Sequence, residues 1–169
     1  IFKEKKEEIF SYFNNFNELS SLSEYEEIEN NLLRCIKKEE IGAIKILIGK
    51  RVEQDDMVFK VNTTDKTASL FKIKPGIKKC TVPRSIKFES EEYLITSVCG
   101  VGYDSNILSL HFDENSEVDT FYESSFYLST IKTLEIPRKL TKLREGWCNG
   151  IDNLTQFHIS PLNNRFIVK

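Results

Sequence analysis

The second half of this chain repeats itself, and that repetition limits the folds open to it. Residues 107–112, 131–136 and 154–159 superimpose as Ile-Leu-Ser-Leu-His-Phe, Ile-Lys-Thr-Leu-Glu-Ile and Leu-Thr-Gln-Phe-His-Ile. Within them Leu110, Leu134 and Phe157 stand 24 and 23 residues apart. A second register agrees: Val98, Phe121 and Leu143 are separated by 23 and 22 residues. A coil of this length cannot bury its own apolar side, so such periods predict coils stacked on one another. Stacking would bury Leu110 on Leu134 on Phe157, and Phe112 on Ile136 on Ile159. Each period carries one short β-like segment and a less regular return. Pro83, Pro137 and Pro161 follow such segments directly or lie one residue further on. A proline there ends a strand without removing a hydrogen bond from its middle. The competing reading is an ordinary sheet whose three strands happen to be evenly spaced.

If Leu110, Leu134 and Phe157 point inward, period-two alternation turns their neighbours outward. Ser109, Thr133 and Gln156 then form one exposed row, and His111, Glu135 and His158 form another. Adjacent rows of a parallel sheet stand ~4.8 Å apart. The only two histidines of the chain would flank a single carboxylate. Three readings compete for this row. It is an incidental polar row on a binding face, a recognition row whose charge follows pH, or a His-Glu-His metal site. The third requires both histidines to lean inward to share one ion, and no metal or other cofactor is expected.

The residues around these segments resemble the BspA-type leucine-rich repeat family. Val82-Pro83-Arg84-Ser85-Ile86 and Ile136-Pro137-Arg138-Lys139-Leu140 match its recurring Ile-Pro element. Val98, Phe121 and Leu143 take its second apolar place, and Tyr103, Phe126 and Cys148 its aromatic place. The family's glycine after that second apolar place is replaced by Cys99, Tyr122 and Arg144. The resemblance covers roughly residues 57–169. It implies a curved solenoid used for protein recognition, often on microbial and protist cell surfaces, with no catalysis.

Upstream the pattern changes. Phe2, Ile9, Phe10, Phe13 and Phe16 recur at helical spacing among Lys and Glu. The run Lys3-Glu4-Lys5-Lys6-Glu7-Glu8 reads as a solvated helix face. Ser23-Glu24-Tyr25-Glu26 has the form of a capping box before the stripe Tyr25, Ile28, Leu32 and Ile36. Ile41, Ile44, Leu47 and Ile48 predict a further helix, with Gly49 as its stop and Lys50 and Arg51 at its carbonyl end. Residues 25–49 resemble an ankyrin-type helix pair without that family's Thr-Pro-Leu-His turn. The expected fold class is therefore α+β, with a helical segment over 1–55 and a β-rich leucine-rich solenoid over 56–169. Two hairpins lead into the array. Residues 59–61 and 68–71 flank the polar run 62–66, and residues 86–88 and 93–95 flank 89–92. The second turn has no glycine, which argues against a tight turn there.

Composition excludes several classes. With 24 basic and 26 acidic residues, the net charge of -2 gives no basic field for a nucleic acid. No run approaches the ~18–20 apolar residues that span a membrane. The chain opens on Ile1 with no leader pattern and reads as a fragment whose targeting segments lie elsewhere. Cys35, Cys80, Cys99 and Cys148 form no metal-type spacing and read as free thiols serving as small hydrophobes. Asn62-Thr63-Thr64 and Asn153-Leu154-Thr155 are glycosylation triplets of the frequent chance kind. Gly100-Val101-Gly102 lacks the third glycine of a dinucleotide loop, and Gly49-Lys50-Arg51 lacks the upstream glycine of a P-loop. No Ser, Cys or Asp is paired with a histidine in a known catalytic signature. Among Phe121, Tyr122, Phe126, Tyr127 and Trp147, some members are expected in the core and some exposed.

The expected function is a non-catalytic protein–protein recognition module presenting Ser109, His111, Thr133, Glu135, Gln156 and His158 to a protein partner. The alternative is a structural component of a large assembly, its aromatic surfaces permanently covered.

Overall fold

The computed structural model describes residues 49–101 and 105–166. The chain divides into two compact units, 1–49 and 50–169. The helical stripes, the capping box and the ankyrin-like pair lie almost wholly at 1–48, outside the described residues.

Eleven strands make up the described part: β1 (Lys50–Gln54), β2 (Met57–Asn62), β3 (Thr67–Ile73), β4 (Lys79–Val82), β5 (Ser85–Phe88), β6 (Glu91–Val98), β7 (Ser109–Phe112), β8 (Thr120–Phe121), β9 (Thr133–Ile136), β10 (Lys142–Leu143) and β11 (Gln156–Ile159). No helix occurs among the described residues. This corrects the α+β expectation: the described fold is all-β. Lys50–Gln54, read as the close of a helical segment, is a strand paired antiparallel with β2, Val52 opposite Phe59 and Gln54 opposite Met57. Its burial follows a period of two, with Val52 and Gln54 half-buried and Arg51 and Glu53 exposed. The turn between β1 and β2 is only Asp55-Asp56, and Asp55 takes a φ of +53°, which aspartate tolerates better than most residues. A short local turn with a ready partner strand thus outweighs the helix-ending signals at Gly49-Lys50-Arg51.

Both expected hairpins form. Asn62 shapes the first turn, its Oδ1 accepting the Thr64 and Asp65 amides at 3.0 and 3.2 Å. The second is tighter than its lack of glycine suggested. Phe88 pairs with Glu91, leaving a two-residue loop, Glu89-Ser90, in which both residues have positive φ, 50° and 67°. Such a loop matches the right-handed twist of the flanking strands, which offsets the side-chain strain.

From β3 onward the chain winds between two sheets. The larger runs β1-β2-β3-β6-β8-β10 with β5 beside β6, and the smaller runs β11-β9-β7-β4. Pairings across the repeat are parallel: Val98 opposite Phe121 opposite Leu143, and Leu110 opposite Leu134 opposite Phe157. Each predicted register is therefore a strand ladder of its own, one per sheet. The register taken as a less regular return is the strand pair that closes the second wall. Parallel stacking at a fixed period, with two walls per coil, makes the described part a β-solenoid.

The core lies between the walls. Leu110, Leu134, Ile107 and Ile131 come from one side, and Val98, Phe121 and Phe126 from the other, all fully buried. Phe121 packs edge-on to Phe126 at 5.1 Å and against Trp147 at 5.7 Å. Tyr127 is exposed, so the aromatic group does divide into core and surface members. Buried polar groups are paired, as required in a low-dielectric interior. Ser69 and Ser97 share a 2.6 Å hydrogen bond between β3 and β6, and the Ser125 hydroxyl donates to the Val98 carbonyl of the previous coil at 2.7 Å.

Candidate functional site

The sheet β11-β9-β7-β4 turns one face to the core and one outward. In β7 and β9, alternate residues are fully or nearly buried while Ser109, His111, Thr133 and Glu135 are half-exposed. The strands form because Leu-x-Phe and Leu-x-Ile place branched and aromatic side chains on one face, where the neighbouring coil covers them. Pro137 directly follows Ile136 and closes β9.

Register joins five of the six candidate residues, and His111 reaches Glu135 through its side chain. Ser109 stands opposite Thr133, Thr133 opposite Gln156, and Glu135 opposite His158. The rows begin one strand earlier than the repeat indicated. In β4, Lys79 stands opposite Ser109 and Thr81 opposite His111, both exposed. The signal for this strand was present, since Val82-Pro83 repeats Ile136-Pro137. The spacing hid it: Cys80 precedes Leu110 by 30 residues, because the β5–β6 hairpin is inserted into that coil.

Inside the rows the contacts are unequal. His111 lies at the centre of a short chain of bonds. Its Nε2 is 2.7 Å from Ser109 Oγ and its Nδ1 is 3.3 Å from Glu135 Oε2. The same carboxylate oxygen accepts the Phe112 backbone N–H at 3.2 Å, which fixes Glu135 from a second direction. The side chains of His111 and Glu135 are 29% and 22% exposed, so both are open to a ligand. Thr133 donates its hydroxyl to Gln156 Oε1 at 3.4 Å. His158 is in register with Glu135, but its side chain is exposed and makes no hydrogen bond or ion pair among the described residues. Only one of the two histidines therefore engages the carboxylate. Among the described residues no three His, Cys, Asp or Glu side chains are placed to hold a metal ion, which leaves the His-Glu-His metal reading without a geometry.

The last ladder departs from expectation on its inner face. Phe157 is 47% exposed where Leu110 and Leu134 are fully buried. Leu143 and Leu162, from the same final coil, are exposed as well.

The cysteines Cys80, Cys99 and Cys148 are free and half-buried. Burial, and secondarily the Asp56 carboxylate, pushes the Cys80 thiol up to about 11. It is a packing group and not a nucleophile at neutral pH. Gly100 serves the backbone: a Cβ there would meet the Phe71 carbonyl oxygen at 2.6 Å.

No family model matches the sequence, and no curated protein matches it. Three solved structures do. The pneumococcal vaccine antigen PcpA is 14% identical with a TM-score of 0.44, over 68% of this chain and 39% of that one. A leucine-rich repeat protein from Bacteroides capillosus is 18% identical with a TM-score of 0.40, over 64% of this chain and 97% of that one. A leucine-rich cell surface protein from Faecalibacterium prausnitzii is 13% identical with a TM-score of 0.35, over 65% of this chain and 42% of that one. Thus the chain spans about two fifths of the PcpA structure.

Proposed function

We propose that the described unit is a non-catalytic recognition module and that the outward face of β4, β7, β9 and β11 is its protein-binding surface. One observation carries this reading. Two rows of hydroxyl, amide, imidazole and charged side chains run across four parallel strands: Lys79-Ser109-Thr133-Gln156 is in register throughout, and in Thr81-His111-Glu135-His158 the step from His111 to Glu135 is made by a side-chain bond. Neighbouring strands of such a sheet stand ~4.8 Å apart, so the rows form a regular polar lattice. The inner face and the strand ladder hold the backbone of these rows in place, so little backbone freedom is lost on binding. Cationic, hydroxyl and carboxylate groups at fixed spacing give orientation-specific recognition.

The test is affinity purification with mass spectrometry from the native cell, using the chain as bait and a Glu135→Arg/His158→Glu variant as control. A partner retained by the native chain and lost by the variant is the expected result. Recovery of the same large assembly by both baits would replace this reading with a structural role in that assembly.

A further inference from the structure

We infer that acidification reverses the hydrogen bond between Ser109 and His111 and converts this face into a donor surface for a carboxylate-rich protein partner. The inference rests on the recognition reading above and adds the partner's chemistry and its regulation.

The bond chain assigns the imidazole tautomer. Glu135 Oε2 already accepts the Phe112 N–H at 3.2 Å, and a carboxylate offers only acceptors. The imidazole nitrogen 3.3 Å from that oxygen, Nδ1, must then carry hydrogen. In the neutral ring the other nitrogen is consequently a bare acceptor, and Ser109 Oγ–H donates to it across 2.7 Å. Protonation places a hydrogen on Nε2. That nitrogen can now only donate, so Ser109 Oγ becomes the acceptor and its own hydrogen is released from the imidazole. One proton thus changes the polarity of two neighbouring groups on an exposed surface.

The surroundings set the sign of the charge change. Facing His111 are Lys79 and Thr81 on β4, Ser109 on its own strand, and Thr133 and Glu135 on β9, with Gln156 and His158 on β11 beyond. Asp113, just past the end of β7, is turned to the Asn115 amide, 2.8 Å from its Oδ1. Within the two rows, Lys79 and Glu135 cancel while both rings are neutral. Protonating both leaves the rows with a surplus of two positive charges. Both histidines of the chain stand in these rows. The acidic form presents an ammonium, two imidazolium groups and the released Ser109 hydroxyl, a pattern complementary to carboxylates on an extended or acidic protein surface.

The probe is immobilised poly-L-glutamate, with the native chain and a His111→Asn/His158→Asn variant measured at about pH 7.5 and about pH 5.5. Asparagine at 111 keeps a donor toward Glu135 without a titrating ring. The native chain should bind about tenfold more tightly at the lower pH, and the variant should lose that gain. An equal gain in the variant assigns the effect to general surface charge and overturns the inference, as does no gain in the native chain. The recognition reading fails separately, if the partner captured from cells is retained by the Glu135→Arg/His158→Glu bait. Nitrogen chemical shifts of the His111 ring supply a second readout. A neutral-pH ring protonated on Nε2 instead of Nδ1 would remove the bond reversal.

Discussion

Leu134 and Phe157 are register partners on adjacent parallel strands, yet Leu134 is fully buried and Phe157 is 47% exposed. The same position in the repeat therefore has two different energetic values. Leu134→Ala should cost about 3–4 kcal/mol, from lost transfer free energy and a cavity between coils. Phe157→Ala should cost under about 1 kcal/mol. Urea unfolding of the two variants checks the contrast, and equal losses would mean that Phe157 is covered in solution.

Gly100 is held against the Phe71 carbonyl oxygen, and the adjacent Cys99 amide donates to the Leu70 carbonyl at 2.9 Å. Gly100→Ala must push the chain off β3 at the point where the hairpin sheet meets the solenoid. The expected loss is about 1–3 kcal/mol. Amide exchange should also quicken at Cys99 relative to β9.

The Glu89-Ser90 loop asks two non-glycine residues to adopt positive φ. Ser90→Gly relieves one of them and should stabilise the protein by ~0.5–1 kcal/mol. Calorimetric melting of this single variant is sufficient to see the effect. A lowered melting temperature would show that Ser90 contributes more than backbone shape.

Cys80 should resist alkylation. With its thiol raised to about 11, the folded chain should react with iodoacetamide at about pH 8 at least tenfold more slowly than the unfolded chain. The linkage has a definite sign. Above the ordinary thiol range the folded state holds a proton that the unfolded state has lost, so this group's contribution to stability falls as pH rises toward about 11. Asp56→Asn should speed the reaction modestly, since the carboxylate is the smaller of the two causes.

The solenoid was legible because its determinants are local and periodic. Leu110 and Leu134 repeat at one spacing, Val98 and Phe121 at another, and a residue that must face the core every coil leaves that mark in the sequence. Two things escaped. The strand containing Lys79 and Thr81 was hidden by an inserted hairpin that lengthens its coil to 30 residues. Lys50–Gln54 carries helix-ending residues, but its partner strand, reached through Asp55-Asp56, supplies hydrogen bonds that no propensity at 49–51 encodes. The site was half legible. Register alone put His111, Glu135 and His158 in one row. The bond from the Phe112 amide to Glu135, which favours His111 over His158 as its partner, depends on side-chain rotamers that spacing does not reveal.

Parallel stacking also decides how the molecule responds to load. Each coil is held by the ladder bonds and side chains of its immediate neighbours, as where the Thr155 amide reaches back 23 residues to the Lys132 carbonyl at 2.9 Å. Tension applied at the C-terminal end therefore meets one ladder at a time instead of shearing a whole sheet. Releasing one of the regular coils frees a contour of roughly 80 Å, so stretching should proceed as a sawtooth of nearly even steps, with a longer one where the β5–β6 hairpin lengthens its coil. Among the described strands β11 should give way at the lowest force, since Phe157 is 47% exposed while Leu110 and Leu134 are fully buried.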